Sequence, residues 1–224
     1  MKRPTEKRKT VELFSGTASF SQVALTFGHD IATYDSADSA DELVAGTHTQ
    51  CNILDESINY PLKPFILWAS PPCEGFSVAA IGKNWHKETK EPKTESARHG
   101  LAILSRTIEL IYLVKPQWWF IENPRGMMRK KIEPLLNKLG LESKRHTVTY
   151  CQYGDERMKP TDIWTNATWW QPKPPCKNGA PCHVAAPRGS RTGTQGIKGA
   201  RNRSRIPAPI FHEIFSHEIL RKNN

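Results

Sequence analysis

One cysteine of this chain lies in a segment that holds it rigidly. Cys73 is the fourth residue of the run SPPCEGFS at 70–77, which directly follows the apolar run FILWA at 65–69. Two consecutive prolines fix two φ angles and remove two backbone donors, so the segment is predicted to be neither a helix nor a central strand. Because attack by a thiol requires a fixed geometry, this stiff turn makes Cys73 the candidate nucleophile.

A carboxyl group at the end of another apolar run is the candidate acid. Glu122 follows the residues QWWFI at 117–121 and precedes Asn123 and Pro124. A glutamate that ends a buried strand is partly desolvated, which raises its pKa toward the range of an acid that works near neutral pH. A purely structural carboxylate is the alternative interpretation.

The elements that must position these groups alternate between strands and helices. Short apolar runs predict strands, and apolar residues that recur every three or four positions predict helices. The predicted strands are 10–14, 30–34, 65–69, 117–122, 146–150 and 161–165, and the predicted helices are 18–27, one that begins near Ser96 and one that contains Ile132 and Leu139. This order predicts an α/β fold with a doubly wound, mostly parallel sheet, whose ligands bind at the carboxyl ends of the strands.

Two further polar features follow predicted strands. Gly16, in the turn at 14–19, allows the backbone to approach a ligand closely, and the next helix directs its N-terminus outward. Asp35 follows the second strand, where a carboxylate can accept both hydroxyls of a ribose. An ordinary tight turn and an exposed loop aspartate are the respective alternatives.

The charge of the chain favours a polyanionic partner. The formal net charge is +10, and no Asp or Glu occurs between Ile163 and His212. The basic residues of that segment are Lys173, Lys177, Arg188, Arg191, Lys198, Arg201, Arg203 and Arg205. A solvated loop is the alternative, but unbroken positive charge over this length favours contact with nucleic acid.

The composition also indicates where in the cell the protein is expected. No apolar run approaches the roughly 18 residues of a membrane span, and the basic N-terminus at 1–9 lacks the hydrophobic stretch of a signal peptide. We therefore expect a soluble, cytoplasmic, monomeric protein with no membrane partner. The five cysteines show no regular disulfide framework, so free thiols, metal ligation or catalysis are expected of them.

Taken in order, these segments resemble the motifs of the DNA cytosine-5 methyltransferase family. Residues 12–16 (ELFSG) resemble its first cofactor motif, 70–77 its proline-cysteine catalytic motif and 122–124 its glutamate-asparagine motif. The resemblance covers 10–166 and is fainter at 205–209 (RIPAP), where the last cofactor motif is expected.

The resemblance implies a Rossmann-like, class I S-adenosylmethionine-dependent fold. The catalytic domain would comprise 10–166 and 206–224, preceded by a basic arm at 1–9 and interrupted by a reduced, basic target-recognition region at 167–205. This compact organisation is similar to that of phage-like members and fits a viral or mobile-element enzyme, located at the nucleoid or in the cytoplasm of a host.

The resemblance also implies a mechanism. Cys73 would add to C6 of cytosine while Glu122, protonated, hydrogen-bonds or protonates N3, and Asn123 would position that glutamate. C5 would then take a methyl group from S-adenosylmethionine. Because neither face of a stacked cytosine can be reached, the expected partner is duplex DNA with a flipped cytosine, or single-stranded DNA.

The cofactor-binding residues implied by the resemblance lie near the predicted strand ends. Phe14 would lie near the sulfonium, Asp35 on the ribose, and Asn52 where the family usually has an aspartate that faces the adenine amino group. The implied set is Phe14, Ser15, Gly16, Thr17, Asp35, Ser36, Asn52, Ile53 and Pro72.

Two positions depart from the family's pattern. Glu74 stands where a glutamine commonly follows the nucleophile, and its charge raises the pKa of the thiol unless a basic group offsets it. The glutamine-arginine-arginine motif is altered at 152–161, where the direct register places Lys159 on the cytosine O2 and Arg157 is the alternative occupant.

The recognition region is short, which suggests short or relaxed sequence specificity. Its Trp169 and Trp170, together with the basic run, suit stacking and phosphate contact better than base-edge recognition. Residues 83–99 resemble the family's mobile loop that closes over the flipped base. An RNA cytosine methyltransferase and a catalytically silent DNA-binding homologue are the alternative functions.

A zinc site is a further interpretation of the recognition region. Cys176, Cys182 and His183 offer three ligands, and Cys151 or a distant histidine could supply a fourth. Because the spacing is not that of a standard finger, the sequence favours free thiols.

Overall fold

The computed structural model describes residues 7–38, 43–184 and 200–217. Its strands are β1 (Lys9–Leu13), β2 (Asp30–Asp35), β3 (Thr47–Gln50), β4 (Ile66–Ala69), β5 (Trp118–Pro124), β6 (Lys144–Thr149) and β7 (Pro160–Thr165). Its helices are α1 (Ser19–Thr26), α2 (Ile81–Asn84), α3 (Glu95–Val114), α4 (Met128–Lys138), α5 (Ala200–Ser204) and α6 (Ala208–Phe215). Short 3-10 turns cover Val78–Ala80 and Tyr150–Tyr153.

The seven strands form one sheet in the order β3-β2-β1-β4-β5-β7-β6. Strands β1 to β5 pair in parallel, whereas β7 runs antiparallel to both β5 and β6. The chain proceeds outward from β1 to β3 and then returns to place β4 on the other side of β1. This reversal confirms the predicted doubly wound α/β sheet and puts a ligand-binding crevice between the carboxyl ends of β1 and β4.

Strand β4 shows how both faces of the sheet are covered. Leu67 belongs to the core cluster on the face of the sheet that α3 and α4 cover. Ile108 of α3 is a member of the same cluster. Trp68 faces the opposite cluster, to which α1 and α6 contribute. Its ring stacks on Phe20 at 5.4 Å and meets Phe211 edge-on at 4.9 Å. A strand buried on both faces must be apolar throughout, which explains the run at 65–69.

The predicted strands and helices of the described residues are present, and one strand was not predicted. β3 has the sequence THTQ, and its residues are exposed or half-buried at the edge of the sheet. A short polar edge strand lacks the apolar pattern by which strands are recognised. Residues 1–6 of the predicted basic arm, 185–199 of the recognition region and 218–224 of the catalytic domain lie outside the described residues.

No helix in the described part of the chain combines the length and the apolar character that a bilayer span requires. The longest of them, α3, is amphipathic, with buried Leu104 and Ile111 on one side and exposed Tyr112 and Leu113 on another.

The turn that carries Cys73 packs against the backbone at Gly126, where an added Cβ would lie 2.2 Å from the carbonyl oxygen of Phe76. That oxygen also accepts the N–H of Met127 at 2.8 Å. We expect Gly126→Ala to lower the free energy of unfolding by about 3 kcal/mol, because backbone must move to relieve the overlap. Gly82→Ala is the control, since its added Cβ meets nothing within 4 Å. Urea unfolding measures both, and equal stabilities would contradict the expectation.

Candidate active site

The site lies where the carboxyl ends of β1 and β4 diverge. The Ser70 N–H donates to the carbonyl of Leu13 at 3.3 Å, which keeps the two strand ends together as the chain enters the proline turn. Beside them lies a cavity of about 280 Å³. Its lining residues are Phe14, Tyr34, Asp35, Ser36, Cys51, Asn52, Ile53, Pro72, His99 and Ile103.

The turn after β1 is held in an unusual backbone conformation. Phe14, Gly16 and Ala18 all have positive φ, at 61°, 45° and 49°. For a bulky residue such as Phe14 this is a strained state that the surroundings must enforce. The N–H of Phe14 donates to the Tyr34 carbonyl at 2.8 Å, and the N–H of Gly16 donates to Asp35 Oδ2 at 2.9 Å. The strained turn therefore presents the Phe14 ring to the cavity and links it to Asp35.

Six of the nine predicted cofactor residues line this cavity: Phe14, Asp35, Ser36, Asn52, Ile53 and Pro72. The other three do not line the cavity. Ser15 and Thr17 are buried in the turn, and the N–H of Gly16 donates to Asp35. The lining residues that sequence reasoning missed are Tyr34, Cys51, His99 and Ile103. His99 and Ile103 share one face of α3 because they are four residues apart, but no sequence signal shows that this face meets the cavity.

A buried carboxyl group lies behind the β1 turn. Glu12 accepts hydrogen bonds from the Ser21 N–H at 3.0 Å and from the Ser21 hydroxyl at 2.5 Å. Burial raises the pKa of Glu12 to about 7, and the charge of Asp35 adds to the rise. These bonds tie β1 to α1 and give Glu12 a structural place outside the cavity lining.

The catalytic turn is fixed by a network from the segment that follows it. The carbonyl of Cys73 accepts the N–H groups of Phe76 and Ser77, both at 2.9 Å. Trp85 Nε1 donates to the Gly75 carbonyl at 2.7 Å, and Asn84 donates to the same carbonyl at 3.2 Å. The segment predicted as a mobile loop is thus tied to the turn in this structure.

The Cys73 thiol is half-buried, and its surroundings oppose ionisation. Burial raises the pKa of the thiol above its usual value, and the carboxylates of Glu122 and Glu74 act in the same direction. The ammonium of Lys159 lowers the pKa. Glu74 therefore raises the pKa of the thiol, as predicted, and Lys159 is a basic group that offsets this rise.

Glu122 ends up deeply buried beside the same turn. Burial raises the pKa of its carboxyl, whereas Lys159 and hydrogen bonds from Tyr150 and Ser70 lower it. The Tyr150 hydroxyl donates to Glu122 Oε1 at 3.0 Å. These contacts fix the orientation of a carboxyl group whose protonated form is favoured by burial.

Asn123 holds the proline turn instead of bonding to Glu122. Its Nδ2 donates to the carbonyl of Pro71 at 2.8 Å, which links the end of β5 to the segment that carries Cys73. Asn123 therefore acts on the nucleophile's turn, and the positioning of Glu122 comes from Tyr150 and Ser70.

The two candidates for the altered arginine motif have different surroundings. The guanidinium of Arg157 is buried, is paired with Asp155 and donates to the carbonyls of Asn202, Arg203 and Arg205. Its donors are thus used to brace the segment at 202–205. Lys159, which directly precedes β7, also donates to the carbonyl of Arg203, at 3.2 Å, and its charge lowers the pKa values of both Cys73 and Glu122.

Removal of the Lys159 charge is expected to raise the pKa of the Cys73 thiol. In Lys159→Met the thiolate then forms only at higher pH, so alkylation of Cys73 by iodoacetamide at neutral pH should slow about 10-fold. Peptide-resolved mass spectrometry over a pH series measures this rate. Lys159→Arg is the control because it keeps the charge, and identical pH profiles for all three proteins would contradict the expectation.

The predicted zinc ligands Cys176, Cys182 and His183 come together, and Cys151 joins them. By contrast, the two tryptophans of the recognition region differ in their surroundings. Trp170 is buried, with Nε1 donating to Glu213 at 2.9 Å, so the stacking role suggested for it is wrong. Trp169 is half-buried and packs edge-on against Trp118, and stacking of a base on its ring stays a prediction.

Comparison with known proteins adds sequence and fold relationships. No protein-family model matches the chain. A relative from Frog virus 3 (isolate Goorha), named Probable DNA (cytosine-5)-methyltransferase, is 30% identical over 230 residues, which is 92% of this chain and 98% of the relative.

One solved structure with a TM-score above 0.5 shares the fold at low sequence identity. A candidate DNA modification methyltransferase encoded within a prophage (E. coli) matches 71% of this chain with a TM-score of 0.52 and 18% identity. This chain spans 46% of that protein. Methyltransferase EhMeth of Entamoeba histolytica has a TM-score of 0.48 and 12% identity over 72% of this chain and 53% of its own. The identity with the viral relative, over nearly the whole length of both proteins, shows that this chain belongs to the DNA (cytosine-5)-methyltransferase family.

Proposed function

We propose that this protein transfers a methyl group from S-adenosylmethionine to C5 of a cytosine in DNA, through a covalent bond between Cys73 and C6. The observation that carries the proposal is the convergence of three features at one edge of the sheet. A rigid turn presents the thiol, a buried carboxyl group with a raised pKa lies beside it, and a cavity of about 280 Å³ shares Pro72 with the turn.

The residues around the cavity fit the proposed cofactor. The carboxylate of Asp35 can accept ribose hydroxyls while it holds the Gly16 N–H. Asn52 Oδ1 accepts the Leu54 N–H at 3.1 Å and keeps one acceptor position for an adenine amino group. The Phe14 ring can attract a sulfonium cation. S-adenosylmethionine, when bound, supplies an electrophilic methyl group.

The chain's own groups then activate the cytosine. Cys73 Sγ forms a bond with C6, the C5–C6 π electrons move to the C4–C5 bond, and the N3–C4 pair moves to N3. Glu122 donates its proton to N3 as this charge develops, and C5 becomes an enamine carbon that can attack an electrophile. Once C5 carries the methyl group, N3 returns its proton to Glu122 and the N3–C4 double bond re-forms. Water then takes the C5 proton, the C5–H electron pair re-forms the C5–C6 double bond, and the Sγ–C6 bond breaks to release Cys73 as the thiolate.

The burial of Glu122 supports a substrate cytosine that is flipped out of the duplex. Glu122 is 5% exposed and Cys73 is half-buried, so a base stacked in a duplex cannot reach both. A cytosine extruded from the duplex, or one in single-stranded DNA, can enter the site edge-first. The formal net charge of +10 supports binding of the phosphate backbone.

One experiment tests this function and its main competitor. DNA and RNA are incubated separately with the protein and S-adenosylmethionine, digested to nucleosides and analysed by mass spectrometry. We expect 5-methylcytosine in DNA only. Product in RNA only would favour the RNA methyltransferase, product in neither would contradict both, and a different mass would show that the transferred group is not methyl.

We also propose that sequence specificity is short or relaxed. Within the described part of the recognition region, residues 167–184 contain no helix or strand, and α5 (Ala200–Ser204) is a short helix of five residues, so little regular structure is present that could enter the major groove. Methylome sequencing of cells that express the protein measures the target. A long, sharply defined recognition motif would contradict this proposal.

A further inference from the structure

Three thiols and one imidazole converge on a single point next to the end of β6. Cys151, Cys176, Cys182 and His183 have ligand atoms that all lie within 4.8 Å of one another. The sulfurs of Cys176 and Cys182 lie 3.6 Å and 3.7 Å from His183 Nδ1, and the sulfurs of Cys151 and Cys176 are 3.1 Å apart. Around a tetrahedral zinc ion with Zn–S bonds of about 2.3 Å, ligand atoms lie about 3.5–3.8 Å from one another.

We propose that these four residues bind a structural zinc ion, independently of the reaction at Cys73. Three cysteines and one histidine form a complete tetrahedral set, which leaves no open position for water or substrate. Cys151 is buried and the other three are half-buried, so an ion between them would be partly shielded from solvent.

A disulfide explains the arrangement of these four residues less well than a zinc ion does. The bond between two cystine sulfurs is about 2.05 Å long, whereas the sulfurs of Cys151 and Cys176 are 3.1 Å apart. A bridge between them would also leave Cys182 and His183 directed at the same point without a role. Zinc uses all four groups.

The segment at 176–184, which contains three of these ligands, has no regular structure. It forms no helix or strand, and its residues are half-buried or exposed. The N–H of Cys176 donates to Thr149 Oγ1 at 2.9 Å, and the N–H of Val184 donates to the Glu156 carbonyl at 3.0 Å. A metal cross-link stabilises a segment that is too short to build a core of its own.

The cluster also borders the wall of the active site. Cys151 directly follows Tyr150, whose hydroxyl donates to Glu122 at 3.0 Å. An ion bound at Cys151 would therefore restrain the 3-10 turn that orients the proposed acid. It would also fix the chain at His183, immediately before the basic residues at 185–205.

Metal analysis of the full-length protein tests the site. Protein purified in the presence of a thiol reductant and without chelators is expected to contain about one zinc ion per chain. Exchange for Co²⁺ should give the intense visible bands of tetrahedral cobalt and an ultraviolet sulfur-to-cobalt band. Failure of the wild-type protein to take up either ion, or a weak octahedral cobalt spectrum, would overturn the proposal.

Cysteine variants assign the ion to its ligands. Cys176→Ser and Cys182→Ser are expected to lose at least about 90% of the bound zinc, because each removes one of four ligands. Cys73→Ser is the matched control, as its half-buried cysteine lies outside the cluster, and it should keep the wild-type zinc content. Full zinc in both cluster variants, or a Cys151–Cys176 disulfide found by mass spectrometry of the reductant-treated protein, would contradict the assignment. If the cluster variants do not fold, the cobalt spectrum of the wild-type protein still decides the proposal.

Discussion

Cys73→Ala is expected to abolish methyl transfer, lowering kcat by at least about 10⁴-fold. Without a group that adds to C6, the cytosine ring keeps its aromatic delocalisation and C5 remains a poor nucleophile. Cofactor binding should change little, since Cys73 does not line the cavity that is proposed to hold S-adenosylmethionine. The loss should therefore appear in kcat, with the Kd for the cofactor nearly unchanged.

A mechanism-based trap separates a missing nucleophile from a damaged fold. DNA that contains 5-fluorocytosine has no C5 proton to lose after methylation, so the bond between Cys73 and C6 cannot break by elimination. The wild-type protein should form a complex that survives denaturing electrophoresis, and Cys73→Ala should not. Glu74→Gln is the neighbouring control. It removes a charge that raises the pKa of the thiol, so it should form the complex at least as fast as the wild type. Methylated product from Cys73→Ala would refute the assignment of the nucleophile.

The parts of the fold that could be predicted are those whose burial leaves a pattern in the sequence. β4 and β5 are buried on both faces, so their apolar runs stand out, and α3 repeats apolar residues at helical spacing. β3 could not be predicted, because an exposed edge strand carries no such pattern. The antiparallel direction of β7 also has no local signal, since it depends on where the chain returns to the sheet.

Candidate site residues could be chosen from the sequence where a chemically reactive residue type lies at the end of a predicted strand. Cys73 and Glu122 could be chosen as candidates because Cys73 follows the buried strand β4 and Glu122 lies near the end of the buried strand β5. The different surroundings of Arg157 and Lys159 could not be predicted from the sequence, because they depend on contacts with Asp155 and with the segment at 202–205.

Contacts between distant parts of the chain account for the remaining differences. Cys151 precedes Cys176 by a long stretch of sequence that includes β7, so its place in the cluster depends on the fold and not on a spacing pattern. Likewise, the sequence around Trp170 is basic and indicates an exposed aromatic residue. In the structure Trp170 lies in the core, where its Nε1 donates to Glu213 on α6.

Glu122→Gln is expected to lower kcat by about 10²–10⁴-fold. Glutamine has nearly the same shape, and its carbonyl oxygen can still accept the hydroxyl of Tyr150, so the site should keep its geometry. An amide can donate a hydrogen bond to N3 but cannot transfer a proton there. The charge that develops on N3 when Cys73 adds to C6 is then only partly neutralised.

The pH profile identifies the role of Glu122 more sharply than the rate does. Glu122 is proposed to act in its protonated form, so kcat/KM of the wild type should fall as the pH rises through the pKa of this carboxyl, which burial raises. Glutamine does not titrate, so this fall should be absent in Glu122→Gln. Glu12→Gln is the matched control, because Glu12 is another buried carboxyl with a raised pKa, of about 7, but bonds to Ser21 and does not line the cavity. That variant should keep the fall at high pH. If Glu12→Gln loses the fall and Glu122→Gln keeps it, the acid of this site is not Glu122.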